Sequence, residues 1–219
     1  MRDFDAQRDL ARVQQLAAAL GAEPPAEALL ACARYVELVA AWNRRVDLTA
    51  ARGAEAQAEV LLADAMALAA GDLLSQLGPR PSLLDVGTGA GAPLFPLLLL
   101  RPELRACAVE GLRRRVAFLR VAAARLGLLE RLSICERKLG PEDAPNGLPG
   151  APFALASSRA TFEPSRWLEL ALGLSPAALL FTARAELPAA PEGTTLVTTQ
   201  RYALPGSGAP RAISLYRRL

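Results

Sequence analysis

The sequence predicts an α/β fold: a mostly parallel sheet covered on both faces, finished by a C-terminal antiparallel hairpin and preceded by an N-terminal helical extension. Three observations predict it. From the turn signal Gly78-Pro79-Arg80-Pro81 onward, short apolar runs alternate with helical patterns, which is how a parallel sheet buried between helices reads. The first quarter of the chain holds only helical spacing. The tail holds two strand-like runs with no helix between them. At 219 residues, 52% hydrophobic and 21% charged, the chain can bury one sizeable core and is not disordered. The expected division is a helical extension over 1–78 and an α/β domain over 79–219, together one compact unit.

Residues 4–20 place apolar side chains at helical spacing and stop at Gly21, a C-cap residue. Pro24 and Pro25 open a second helical pattern that runs through ALLACARYVELVAAWNRRV. A third, rich in Ala and Leu, spans about 54–68. After the turn, SLLDV reads as a strand and PLFPLLLL as a helix. RACAVE is the second strand, LRRRVAFLRVAAARLGL its helix and RLSIC the third strand. The Pro/Gly-rich stretch 140–152 reads as an exposed loop. FALASS is a fourth strand, EPSRWLELALGL a helix and AALLFTA a fifth strand. TTLVTTQRYAL and PRAISLYRR, joined by PGSGA, form the hairpin.

Composition excludes several chemistries. No histidine occurs anywhere, which removes His-activated nucleophiles, His general acid/base catalysis and His-containing zinc sites; no metal is expected. Cys32, Cys107 and Cys135 lack CxxC spacing, sit in apolar contexts and read as buried reduced thiols. The start, MRDFDAQRDL, carries charge where a leader would be apolar, and the run 97–100 is too short to span a bilayer, so a cytoplasmic chain is expected. Net charge is +3, which permits a nucleic-acid partner without requiring one. All but one of the 25 Lys and Arg residues are arginine, the exception being Lys138. The densest basic stretch, 101–131, sets eight arginines against three glutamates and can meet phosphates, although a solvated helix face reads the same way.

The chemistry concentrates in LLDVGTGAG, where a strand runs straight into Gly87, Gly89 and Gly91 and a helical segment follows. Glycines belong where backbone must turn tightly and approach a ligand. Glu110 closes the next strand, where an acid accepts hydrogen bonds from the ribose of a nucleoside cofactor. The spacing DxGxGxG is not the dinucleotide GxGxxG. A dinucleotide site aims a helix N-terminus at a pyrophosphate, whereas S-adenosylmethionine carries a sulfonium cation and no phosphate. Asp85, just before the glycines, suits such a cation better than it suits an anion.

These residues resemble the RsmG (GidB) methyltransferases, which methylate N7 of a guanine in bacterial small-subunit ribosomal RNA. The cofactor core is similar from Leu83 to Leu128. Trp42-Asn43 and Asp47-Leu48-Thr49, followed by Arg52, are similar to the family's WNxxxNLT segment, and Ser158-Arg159-Ala160 to its SRA motif. The resemblance implies a class I, Rossmann-like methyltransferase fold that binds S-adenosylmethionine. It places Gly87, Gly89, Gly91 and Ala92 on the methionine side of the cofactor; Thr88 and Asp85 are expected in the same cofactor site. Glu110 would hold the ribose, and Lys138 and Leu139 would flank the adenine. Arg159 would sit at the mouth of the site near cofactor and substrate, and with Asp64 would border the acceptor. Ribosomal RNA or the small subunit is the implied partner, and a monomer is expected, with no membrane.

The sequence also departs from the family. Its Arg-His-x-x-Asp-Ser run aligns with residues 60–65, where only Asp64 survives and Leu61 replaces the histidine. Leu139 and Ala154 stand where acids are expected, and Ala183-Arg184-Ala185 where Leu-Lys-Gly is expected. Cofactor binding is therefore better supported than RNA methylation. Two other readings share the same features: a relative that methylates another acceptor, and a non-catalytic relative that keeps only the binding site. N7 of guanine carries no proton, so transfer to it needs alignment rather than a base, which suits a chain without histidine. Trp42 and Trp167 could stack on a base, but on helical segments they read first as packing residues.

Overall fold

The computed structural model describes residues 6–140, 143, 145–183 and 186–219. Residues 4 and 5 of the first predicted helix, part of the 140–152 loop, and Arg184 and Ala185 lie outside them. In chain order the elements are α1 (Ala6–Ala19), α2 (Ala26–Trp42), α3 (Ala54–Ala70), β1 (Ser82–Val86), α4 (Leu94–Leu100), β2 (Arg105–Glu110), α5 (Arg113–Arg125), β3 (Leu132–Glu136), β4 (Leu155–Ser158), α6 (Pro164–Leu174), β5 (Ala177–Thr182), β6 (Thr194–Ala203) and β7 (Pro210–Arg218). Short 3-10 turns at Leu73–Leu77 and Pro145–Gly147 add to the predicted set.

Local chemistry sets the boundaries. α1 is closed by Gly21 at φ 69°, with Ala22 N–H donating to Ala17 O at 2.9 Å, a Schellman-like ending. α2 stops at Trp42, four residues short of the predicted run, because Asn43 turns the chain. α6 begins at Pro164 behind Glu163, whose carboxylate accepts from Ser165 N and Arg166 N, an N-cap in an acid's favoured place.

The sheet has the order β3-β2-β1-β4-β5-β7-β6. Its first five strands are parallel, β7 runs antiparallel to β5, and β6 pairs antiparallel with β7. The predicted hairpin is thus present, with its second strand inside the sheet and its first at the edge. Strand order reverses direction between β1 and β4, so the carboxyl ends of these two strands open the crevice where parallel α/β sheets place ligands.

Side chains alternate between two cores. Leu83 points into a large cluster shared with α1 to α5, while Leu84 and Val86 point into a smaller one with Trp167, Leu168 and Ala171 of α6. The second face differs from the expectation of helices throughout: besides α6 it is covered by loop residues Leu139, Leu148 and Phe153. The helical extension is continuous with the large core, since α2 and α3 pack on α4 and buried Tyr35 donates its hydroxyl to Ala90 O at 2.9 Å. Cys32 and Cys107 are buried as expected, and burial pushes the Cys32 thiol up to about 12. Cys135 is only half-buried, a correction to the expectation for all three, because β3 is an edge strand; its sulfur lies 3.6 Å from that of Cys107. No helix among the described residues is long and apolar enough to cross a membrane.

Candidate active site

The glycine loop leaves the carboxyl end of β1 and is tied at once to its neighbour. Gly87 N–H donates to Val109 O at 2.8 Å and Gly91 N–H to Thr88 O at 2.8 Å. Gly87 has φ 71°, and a Cβ there would fall 2.6 Å from the Thr161 side chain. At Gly91, φ 89°, it would fall 2.6 Å from the Phe95 ring. Neither position admits another residue without displacing its neighbour. Asp85 lies beneath this loop rather than on its surface, 2% exposed. Its carboxylate accepts from Ser157 Oγ at 2.6 Å and from Thr88 Oγ1. Burial raises its pKa, while these two hydrogen bonds act the other way.

Glu110 is the hinge between the loop and the next turn. One carboxylate oxygen accepts from Gly89 N at 2.9 Å and the other from Leu112 N at 2.8 Å, leaving each oxygen a further acceptor direction. The residue lines a cleft of about 270 Å³ with Gly87, Val109, Leu139, Thr161 and Phe162 among its walls. Val109, Leu139 and Phe162 are apolar surfaces suited to a flat base. Arg115, Arg137 and Lys138 stand around the same cleft. Lys138 leans on Gly111, where a Cβ would sit 2.6 Å from its Cγ. Arg137 is held at 2.5 Å by Asp143, which also accepts from Gly140 N. The cleft is therefore lined by segments that follow four strand ends, those of β1, β2, β3 and β4.

Beyond the loop, Arg159 from the end of β4 reaches back to α3. It donates to Asp64 Oδ2 at 2.8 Å and to Val60 O at 2.7 Å. The hydroxyl of Tyr202, on β6, donates to the other Asp64 oxygen. Burial and the adjacent Asp64 raise the Tyr202 pKa, so it remains a donor. Three elements far apart in sequence thus converge on one carboxylate. Ala160, next to Arg159, has φ 57°, a left-handed conformation unusual for a residue with a Cβ. Leu61, where the family resemblance implies a histidine, is 1% exposed within the core, and Val60 contributes its carbonyl to Arg159. The substitutions at these two positions leave the Arg159 anchor in place.

The WN and DLT segments meet through Asn43. Its Oδ1 accepts from Leu48 N and Thr49 N at 2.8 and 3.0 Å, and its Nδ2 donates to Thr49 O at 2.9 Å. Arg52 donates to Thr49 O, and Arg115 reaches Asp47 O at 3.0 Å, fastening this loop to the cleft wall. Trp167 is 1% exposed, donates to Leu179 O at 2.7 Å and stacks under Phe162. It supports the cleft from behind and is closed to a base. Trp42 is half-buried with its ring edge-on to Phe118. In the basic stretch, Arg101 pairs with Glu103, Arg105 donates to Glu130 O, and Arg131 to Leu98 O, so these three are engaged within the fold.

Of the predicted cofactor residues, Gly87, Glu110, Lys138 and Leu139 line the cleft. Thr88, Gly89, Gly91 and Ala92 continue the loop beside it, Asp85 lies under it, and Arg159 joins Asp64 at its far side. Sequence reasoning missed Tyr202, Thr161, Ser157 and Phe162. The only signal for Thr161 and Phe162 was their place just after the SRA segment.

A family model described as rRNA small subunit methyltransferase G matches residues 29–146. The chain is 34% identical over 209 residues to the Ribosomal RNA small subunit methyltransferase G of Anaeromyxobacter sp. (strain Fw109-5), covering 91% of this chain and 93% of that one. It is 33% identical over 192 residues to that of Myxococcus xanthus (strain DK1622), covering 84% and 85%. Among solved structures it is similar to an RNA methyltransferase candidate from Pyrococcus horikoshii: 15% identity, TM-score 0.52, 85% of this chain and 96% of that one. It is also similar to a methyltransferase candidate from Escherichia coli, with 17% identity, TM-score 0.50 and coverage of 67% and 81%. These likenesses show the Rossmann-like methyltransferase fold.

Proposed function

The chain belongs to the ribosomal RNA small subunit methyltransferase G family, and from that premise we propose that it transfers a methyl group from S-adenosylmethionine to N7 of a guanine in small-subunit ribosomal RNA. The observation that carries this reading is the cleft at the β1/β4 switch point, where Glu110 and a Cβ-free glycine loop stand beside apolar walls. The donor set fits the cofactor. A carboxylate with two acceptor directions free suits a ribose diol, Leu139 and Phe162 suit the adenine faces, and the buried acid Asp85 suits a nearby cation.

Bound there, S-adenosylmethionine supplies a methyl carbon activated by a positive sulfur. The chain's task is alignment. Asp64 and Val60 O fix the Arg159 guanidinium, whose remaining N–H groups are donors for the guanine O6 and leave N7 free to attack. Guanine N7 offers a lone pair and no proton, so no residue has to act as a base, and the rate comes from holding the reacting atoms in line. Tyr202 positions Asp64 and through it Arg159. The enzyme is expected to act in the cytoplasm as a monomer.

The test incubates the protein with methyl-tritiated S-adenosylmethionine and small subunits from cells that lack this family's enzyme. Label is expected in the RNA. Saturating S-adenosylhomocysteine should raise the melting temperature. Stabilisation without transfer would support the cofactor site and overturn the RNA reading; neither result would overturn both.

A further inference from the structure

Beside the cleft, and separate from it, a groove of about 820 Å³ is lined by Ala41, Trp42, Arg44, Arg45, Val46 and Arg114. It lies where the end of α2 meets the first turn of α5. Arg44, Arg45 and Arg114 are all exposed, and none makes a side-chain hydrogen bond or ion pair among the described residues. This separates them from Arg101, Arg105, Arg115 and Arg131, whose guanidinium groups are engaged within the fold. Three unpaired cations facing one groove repel one another. Folding gains nothing from gathering them, so their arrangement calls for an anion.

We propose that this groove is a docking surface for the phosphate backbone of the RNA substrate. The inference rests on the reading of the chain as an RNA methyltransferase and says which face the RNA crosses. Guanidinium forks bind phosphate oxygens in pairs. The floor is apolar: Ala41, Val46 and a Trp42 ring fixed edge-on against Phe118 offer a surface for the sugars between phosphates. Arg114 is followed directly by Arg115, which lines the cofactor cleft and holds Asp47 O of the 43–49 loop. A strand seated in the groove is therefore led along α5 to the edge of the cleft. An RNA backbone repeats a full negative charge at every nucleotide with sugars between, which suits three free guanidinium groups around one groove with an apolar floor better than an acidic protein surface does.

The test uses the full chain and small-subunit ribosomal RNA lacking the modification. The triple variant Arg44→Gln/Arg45→Gln/Arg114→Gln is compared with Arg80→Gln/Arg166→Gln/Arg201→Gln, which removes equal charge elsewhere on the exposed surface. Each lost phosphate contact lowers the slope of log affinity against log salt by about 0.7–0.9. The groove variant should therefore lose about 2 from the slope and at least tenfold in RNA affinity. Its KM for RNA should rise with kcat retained, and its affinity for S-adenosylhomocysteine should not change. Arg44→Lys/Arg45→Lys/Arg114→Lys should recover most of the slope. Equal losses in the two Gln triples, or no loss in the groove triple while S-adenosylhomocysteine still stabilises it, would overturn the proposal. Salt-dependent RNA binding without methyl transfer would overturn the assigned reaction and leave the groove standing.

Discussion

At Glu110 two carboxylate oxygens answer two main-chain N–H groups, one in the glycine loop and one in the turn that opens α5. A carboxamide has one acceptor oxygen, so Glu110→Gln sets an NH₂ against one of those donors. Hydrogen bonds to a charged group contribute about 1.5–3 kcal/mol. The variant should therefore bind S-adenosylhomocysteine about 10- to 100-fold more weakly by calorimetry, and unchanged affinity would contradict the assigned role. Asp85 makes a prediction of the opposite kind. Its folded-state pKa is raised, chiefly by burial, so between the unfolded and the folded value the native chain binds a proton that the unfolded chain has already released, and above the folded value the acid is a carboxylate. Its effect on stability is then most favourable at or below the ordinary carboxylate range, about pH 3.9, and is lost as pH rises through the folded value. Urea unfolding of wild type and Asp85→Asn between pH 4.5 and 8 should show the wild type losing ground to the variant with rising pH. Parallel curves would mean that Asp85 is not held in this way.

Among the elements, the segment after β4 concentrates backbone strain. Ala160 at φ 57° turns the chain so that Arg159 points to Asp64 while Thr161 covers Gly87. Ala160→Gly removes a Cβ from the left-handed region and should raise unfolding stability by about 1 kcal/mol in chemical denaturation. A loss of stability would show that the methyl group packs favourably. Strands and helices were legible in the sequence because each has its own period: SLLDV and RACAVE alternate with helical spacing, and Gly21 and Pro164 mark ends by local chemistry. Glu110 and the glycine loop were legible for the same reason, since loop and acid sit at successive strand ends of one βαβ unit. The end of α2 was not. Asn43 stops the helix by capturing the N–H groups of Leu48 and Thr49, a loop closure that helical periodicity cannot signal. Tyr202 was equally hidden: it lies 138 residues from Asp64, and only the insertion of β7 between β5 and β6 brings that edge strand to α3.

For the molecule as a whole, the helical extension and the sheet share one core. Tyr35 is fully buried, stacks on Phe95 at 6.0 Å and donates to Ala90 O in the glycine loop. We propose that residues 1–78 and 79–219 fold as one cooperative unit. A fragment of residues 79–219 exposes the buried face of α4 and leaves the Ala90 carbonyl without its donor. It should show no sharp thermal transition by circular dichroism and no binding of S-adenosylhomocysteine. A cooperative, ligand-stabilised fragment would contradict that unity. Absence of histidine first excludes histidine-based proton transfer; the Asp64–Arg159–Tyr202 network then supports catalysis by alignment, because each member holds the next in place. Nucleoside analysis by mass spectrometry, on small-subunit RNA incubated with the protein and S-adenosylmethionine, tests this account most directly. It predicts 7-methylguanosine at up to one per subunit, formed at a single-turnover rate that stays flat between pH 6 and 9. Methyl on any other nucleoside, or none at all from protein that binds the cofactor, would contradict it.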